Sequence, residues 1–456
     1  MKVNIEYTEP SKGNFSSIKL NFEPKDEKKQ FCNLKVDYSE AFRIIGLPKS
    51  EAFDFFLIGV IVYGIDNAID RDKYSINGWS RELEVSFSVF NPAKWNSVSE
   101  VLKKSLDFLT GDIWTISFEH HSVASYYFPS RKDLNEFNAN KGTFDDVSVV
   151  SLFSGGLDSL IGIIDQCENL VDKKVLLASH SDGNFKGVMS EQDECFNSIS
   201  TMYSKVLAWA RIKVSLQNIT DGEGYKNEIT TRSRSILFLG IGVLYANSIL
   251  DNIDVLIPEN GTIAINHPLT ASRRSSCSTR TAHPYFINLL NDLLNSIGIT
   301  NHIKNPYELK TKGEMVENCL NQVLLNKTIE LSCSCAKNGH NYHWDNRTGT
   351  KHCGRCMPCM YRRVALHKVG NDNQMYGIDI FNTAAAKLDN IDLIAFFDYI
   401  KTDLSIESIE RNLLVNGSLP LDKIRDYALV IDRTRSEIKD WIRQKGSSKV
   451  KNMVGL

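Results

Sequence analysis

Between Arg81 and Phe90 the chain alternates apolar and polar residues, RELEVSFSVF, which predicts a strand with one buried face. SVSEVLKKSLDFL (97–109) spaces its apolar residues three or four apart and predicts a helix, and DIWTISFE (112–119) predicts a second strand. Residues 1–145 therefore read as an α+β module. It carries no motif that suggests chemistry, so a structural or partner-binding role is expected.

The texture changes at residue 147. VSVVSLF (147–153) is a continuous apolar run rich in β-branched residues, as expected of a parallel strand buried on both faces. VLLAS (175–179) and VLIP (255–258) have the same character, and SRSILFLGIGVLYANSIL (233–250) is a helical stretch between them. Strands alternating with helices predict an α/β domain with a parallel sheet over residues 146–370. From 371 to 456 the chain is expected to be a helical extension. IDLIAFFDYIK, SIESIERNLL and PLDKIRDYALVIDRTRSEIKDWI each show helical spacing, with Pro420 opening the last, and the tail GSSKVKNMVGL is expected to be mobile.

Charge and cysteine content narrow the function. Of 456 residues, 53 are Lys or Arg and 55 are Asp or Glu, a balance that argues against coating nucleic acid as the main role. MKVNIEYTEP has no apolar run of a secretory signal. FFLIGVIVY (55–63) falls far short of the roughly 20 residues of a membrane span, and reads as a buried helix or strand. A cytoplasmic protein is expected. Its ten cysteines are then thiols or metal ligands, and five of them lie between 333 and 359.

The most informative segment is Ser154-Gly155-Gly156-Leu157-Asp158-Ser159, directly after the 147–153 strand and opening a helix. Two glycines allow a sharp turn and close approach of an anion, and the free N–H groups of a helix start favour phosphate. Ser154 and Ser159 supply hydroxyls, and Asp158 can orient a Mg²⁺ ion on phosphate oxygens. The Gly-Lys-Ser/Thr ending of a Walker A loop is missing. Downstream, Cys353, Cys356 and Cys359 have the spacing of tetrahedral metal ligands. Zinc is the first expectation for them, with an iron–sulfur cluster or plain thiols as alternatives.

SGGLDS after the first strand resembles the fingerprint of the PP-loop ATP pyrophosphatases, which cleave ATP to AMP and pyrophosphate. Further motifs in the same order narrow the resemblance to the 7-cyano-7-deazaguanine synthase (QueC) family: Arg234 and Ser235 in TRSRSILFLG, Lys312 and Glu314 in LKTKGEMV, Cys333 after Ser332, and CGRCMPCMYRR at 353–363. It covers about half the chain. It implies Cys333 as the fourth ligand of a structural zinc, with Cys335, His340, His343 and His352 as competitors, and Arg355, Arg362 and Arg363 offsetting the thiolate charge. It also implies Asp158, Arg234 and Lys312 as catalytic residues, the cations balancing charge on the α-phosphate of ATP.

The chain departs from the synthases in its two flanking modules, in ASHSDGNF (178–185), and in PENGTIAINHP followed by STRTAHPYF. Glu259, Asn260, Arg280 and His283 fall where the family binds its substrate. These departures resemble the QueC-like proteins of anti-phage defence systems. The resemblance then implies that 7-carboxy-7-deazaguanine is adenylated and transferred to an amine of a partner protein. Free nitrile synthesis with ammonia is the alternative. A tRNA-modifying enzyme and an ATP-sensing scaffold are other classes, disfavoured by the balanced charge and by the intact SGGLDS respectively.

Overall fold

The computed structural model describes residues 1–8, 15–23, 30–121, 130–170, 173–181, 186–204, 207–217, 228, 232–269, 280–337, 344–381, 391–415 and 417–456. Among the described residues ten strands form one mixed, mostly parallel sheet: β1 (Lys2–Thr8), β2 (Phe15–Glu23), β3 (Gln30–Asp37), β4 (Glu82–Val89), β5 (Ile113–His120), β6 (Val147–Leu152), β7 (Lys174–Ser181), β8 (Leu207–Gln217), β9 (Asp254–Leu256) and β10 (Ile303–Lys304). The order is β10-β9-β6-β7-β8-β3-β2-β1-β4-β5. β6 to β10 form a parallel half. β3 joins that half by pairing antiparallel with β8, Val36 opposite Val214. The strands expected at 81–90, 112–119, 147–153, 175–179 and 255–258 all form.

The fold is α/β, but its sheet runs unbroken across the expected boundary at 145/146. The core does the same. Leu20, Leu34 and Phe87 from the leading module belong to one buried apolar cluster with Val150, Leu176 and Ile212. The apolar 55–63 stretch lies within the helix Ser50–Ala68, buried along almost its whole length. It packs on the helix Arg234–Ile249. Glycine permits the contact. A Cβ on Gly59 would lie 2.9 Å from the Ile236 carbonyl oxygen, and one on Gly240 would lie 3.0 Å from Phe56 Cα. Among the described residues no helix is long and apolar enough to cross a membrane.

Buried charge also joins the modules. Arg71 reaches Asp66 at 2.9 Å and Asp112 at 2.7 Å, and Arg81 reaches Asp112 at 2.7 Å, with all four side chains almost fully buried. Asp66 then accepts from Ser233, 3.1 Å from its N–H and 2.7 Å from its hydroxyl, at the start of the 234–249 helix. A group of the leading module thereby caps the helix that begins with Arg234.

The C-terminal helices Ile406–Leu414 and Ile424–Lys445 share an apolar cluster with Phe396, Tyr427, Ile431 and Trp441. Pro420 precedes a short 3₁₀ turn (Leu421–Lys423), so the last long helix starts at Ile424. The tail expected to be mobile instead forms a helix, Ser448–Val454, that buries Val450 and Val454. Four-residue spacing of those valines puts both on one face.

Removing Arg81 leaves two buried carboxylates, Asp66 and Asp112, to share the cation Arg71. Arg81→Met should cost about 3–5 kcal/mol, read from urea unfolding. A loss below about 1 kcal/mol would contradict the role given to this network.

Candidate active site and metal centre

From the carboxyl end of β6 the chain passes into the 154–159 turn, while β7 and β9 lie on opposite sides of β6. In open parallel sheets such a switch point leaves a crevice beyond the strand ends, where ligands bind. Gly155 sits at φ 80° and its missing Cβ would lie 3.1 Å from Gln192 Cγ. Gly156, at φ −82°, is the N-cap of the helix Leu157–Asn169. The first glycine is therefore required by the backbone, and at the second a Cβ would lie 3.3 Å from the Ser154 hydroxyl and 3.5 Å from the Cys333 carbonyl oxygen. The Ser154 and Ser159 hydroxyls lie 3.2 Å apart, and Ser159 donates to the Gly156 carbonyl at 2.9 Å.

Asp158, one residue into that helix, is buried. It forms an ion pair with the Lys312 ammonium and accepts from the Asn260 amide side chain at 2.7 Å. Burial opposes ionisation, but Lys312 and the surrounding donors hold Asp158 below its ordinary range. Glu259 beside it is pushed well up, by burial first and then by the Asp158 charge. Lys312 is the first residue of the helix Lys312–Glu317, capped by Thr311 and Glu314 in a reciprocal box. Four sequence-predicted residues, Asp158, Lys312, Glu259 and Asn260, thus converge from three separate segments.

A cavity of about 360 Å³ opens over this corner, lined among others by Ser154, Ser159, Arg234, Ser235, Glu259 and Cys333. Glu191, Phe238 and Thr281 also line it and were missed, because nothing in their local sequence marks them. The Arg234 guanidinium lies over the Phe238 ring, 5.1 Å from its centre.

Arg280 and His283 do not line the cavity. The Arg280 guanidinium donates to the Phe108 carbonyl and lies over the Phe108 ring. His283 is buried, accepts from the Tyr285 N–H at 3.2 Å and packs its ring against Phe108, tilted by 58° with centroids 4.9 Å apart. Both bind the core helix Ser99–Thr110, which explains their orientation away from the crevice. Residues 182–185, 278 and 279, also part of the expected substrate segments, lie outside the described residues.

The cysteine cluster consists of Cys335, Cys353, Cys356 and Cys359, with all four sulfurs within 4.8 Å of one another. The expected fourth ligand, Cys333, is corrected to Cys335. The Cys333 N–H donates to the Gly155 carbonyl at 2.9 Å, which holds Cys333 at the turn, and its thiol faces the Lys351 carbonyl. Two residues on, Cys335 reaches Cys356 at 4.0 Å between sulfurs, and Cys353 lies 3.9 Å from Cys359. Tetrahedral zinc with bonds of about 2.3 Å places its sulfurs roughly 3.8 Å apart, so the four fit such an ion.

The crowded thiols cannot all ionise unaided. Hydrogen bonds from Cys335, Cys356 and Cys359 drive Cys353 far down, and the same crowding drives Cys356 and Cys359 far up. A divalent cation would stabilise all four thiolates.

His352 accepts from the Ser334 N–H through Nε2 and is not in the cluster, while His340 and His343 lie outside the described residues. Arg362 is a buried strut, donating to the Ile329 carbonyl at 2.6 Å and to Ser332 at 2.9 Å. Arg363 pairs with Asp372. Ser334 accepts from the Leu157 N–H at 3.3 Å, so residues 333–335 touch the turn twice before entering the cluster.

Comparison with protein families, curated proteins and solved structures finds no match to this chain. The geometry of the crevice and the cluster therefore carries the functional reading.

Metal analysis should find one zinc per chain. Cys335→Ser should lose it and lower soluble yield, whereas Cys333→Ser should retain it; the reverse would restore Cys333 as ligand. Acid should also weaken the fold. Burial, assisted by Arg234 and Arg280 respectively, pushes His180 and His283 down to about 3. The unfolded chain protonates these groups near 6.5, so their contribution is intact above 6.5 and is lost as pH falls toward 3. The melting temperature should be lower at pH 5 than at pH 7, and an unchanged or higher value would contradict neutral buried histidines.

Proposed function

We propose that this chain is an AMP-forming ligase. It binds Mg²⁺ and ATP in the crevice beyond β6 and β9, adenylates the carboxylate of 7-carboxy-7-deazaguanine, and passes the acyl group to an amine of a partner protein in an anti-phage defence system. The observation that carries the reading is one cavity lined by Ser154, Ser159, Arg234 and Glu259, with Glu259 in turn hydrogen-bonded to Asp158 of the Asp158–Lys312 pair. The substrate and the acceptor come from the family resemblance.

The residues fit their roles. The turn presents a positive-φ glycine and a helix start to phosphate oxygens. Asp158 and Glu259 offer carboxylate oxygens in one buried corner, where a divalent cation would let both ionise. Arg234 and Lys312 offset charge developing around the α-phosphorus. In the first step a substrate carboxylate oxygen attacks that phosphorus and pyrophosphate leaves. The neutral amine then attacks the acyl carbon, AMP departs with the C–O electron pair, and the nitrogen loses a proton to water. An α-amine near pKa 8 has a larger neutral fraction than a lysine near 10.4, which favours the partner's amino terminus. The cysteine cluster reaches the same cavity through Cys335, and its role is structural.

ATP, Mg²⁺ and 7-carboxy-7-deazaguanine should together yield AMP and pyrophosphate. Arg234→Met and Asp158→Asn should each lower the rate by about 100-fold; near wild-type AMP formation in both would overturn the site. With the cognate partner the mass of one polypeptide should rise by the acyl group. Rapid conversion to free nitrile with ammonia, and no mass change on the partner, would replace conjugation by nitrile synthesis.

A further inference from the structure

The helix Ile424–Lys445 touches both segments that converge on Asp158. Glu437 accepts from the Thr311 hydroxyl at 2.7 Å and from Lys368 at 3.0 Å. Thr311 is the cap residue directly before Lys312. Gly313, directly after it, admits the Glu437 carboxylate: a Cβ there would lie 2.7 Å from both of its oxygens. One turn earlier, Arg433 donates to Glu314 at 2.6 Å, the other half of the same capping box. The helix therefore holds Lys312 from both sides.

Thr434 makes the second contact. It is buried and shares a hydrogen bond with Thr262, in the short helix Gly261–Ile265 capped by Asn260. Gly261 is close-packed, and a Cβ on it would lie 3.1 Å from Val430 Cγ1 of the long helix. Lys312 and Asn260 are the cation and the amide that Asp158 binds. A single rigid element of the C-terminal extension thus sets the separation between the two side chains that fix this carboxylate.

We propose that Glu437 and Thr434 are positioning residues for the Asp158 site, and that the C-terminal extension is part of the catalytic apparatus. Neither residue lines the cavity. They act through the capping box at Lys312 and the cap at Asn260. The inference rests on the reading that Asp158 and Lys312 serve ATP.

The test uses the full-length chain, with AMP release followed at limiting and saturating ATP and melting temperature recorded for each variant. Because small misplacements of a catalytic group are costly, Glu437→Ala should lower kcat by about tenfold with a smaller change in KM for ATP. Glu437→Gln, which still accepts from Thr311, should restore most of the rate. Arg443→Ala, on the exposed side of the same helix, should match wild type. In a Lys312→Met background Glu437→Ala should add nothing, since coupled residues are non-additive.

A purely structural Glu437 would lower yield or melting temperature and leave the kcat of the folded fraction unchanged, which would overturn the proposal. Multiplying effects in the double variant would do the same. If Glu437→Ala does not fold, Thr434→Val decides through the Asn260 arm: reduced kcat supports the proposal, and an unchanged one overturns it. A wild-type chain that neither binds ATP nor releases AMP would overturn the site reading, and this inference with it. An active wild type with an unaffected Glu437→Ala would overturn this inference alone.

Discussion

Asp158 is a carboxylate buried at the head of a helix, and such a charge is tolerated only with a cation and donors close by. Lys312 and Asn260 meet that need, Asn260 from the connection that follows β9 and Lys312 from the segment that follows β10. Breaking a buried pair from one side costs about 3–5 kcal/mol. The segments after β9 and β10 are therefore constrained to end at one point, the carboxyl end of β6. The flanking modules serve this constraint. The leading one supplies Asp66 to cap the helix of Arg234, and the trailing one grips the segments of Lys312 and Asn260.

A second constraint comes from the cysteine cluster. Cys333 and Ser334 hydrogen-bond the turn at Gly155 and Leu157, and Cys335 belongs to the cluster. Three consecutive residues join the cysteine cluster to the 154–159 turn. A metal ion bound by the four thiolates would stiffen the 333–335 segment, which lines the cavity through Cys333 and Cys335.

The hydrophobic pattern announced the central strands and the long helices, because burial on one or both faces leaves a period that local sequence records. SGGLDS announced the crevice, because only a few residue types suit that turn. The join between β3 and β8 was not legible, since a strand's sequence does not name its neighbour. The tail helix was missed because a polar, slightly basic segment hid the pair Val450 and Val454. Cys333 ranked ahead of its competitor Cys335 because Ser332-Cys333-Ser334-Cys335 contains the Ser-Cys pair twice, and only the folded positions of the two residues separate them. Arg280 and His283 had site-like chemistry but are spent on Phe108. Which polar residues face a cavity is decided by packing across modules, and spacing along the chain does not record it.

The central claim, that a carboxylate is activated by transfer of AMP in this crevice, is tested most directly by oxygen tracing. With both carboxylate oxygens of 7-carboxy-7-deazaguanine labelled with ¹⁸O and the reaction run in unlabelled water, the AMP released on amide formation should carry one labelled oxygen. Unlabelled AMP, or label recovered only in inorganic phosphate, would contradict the account.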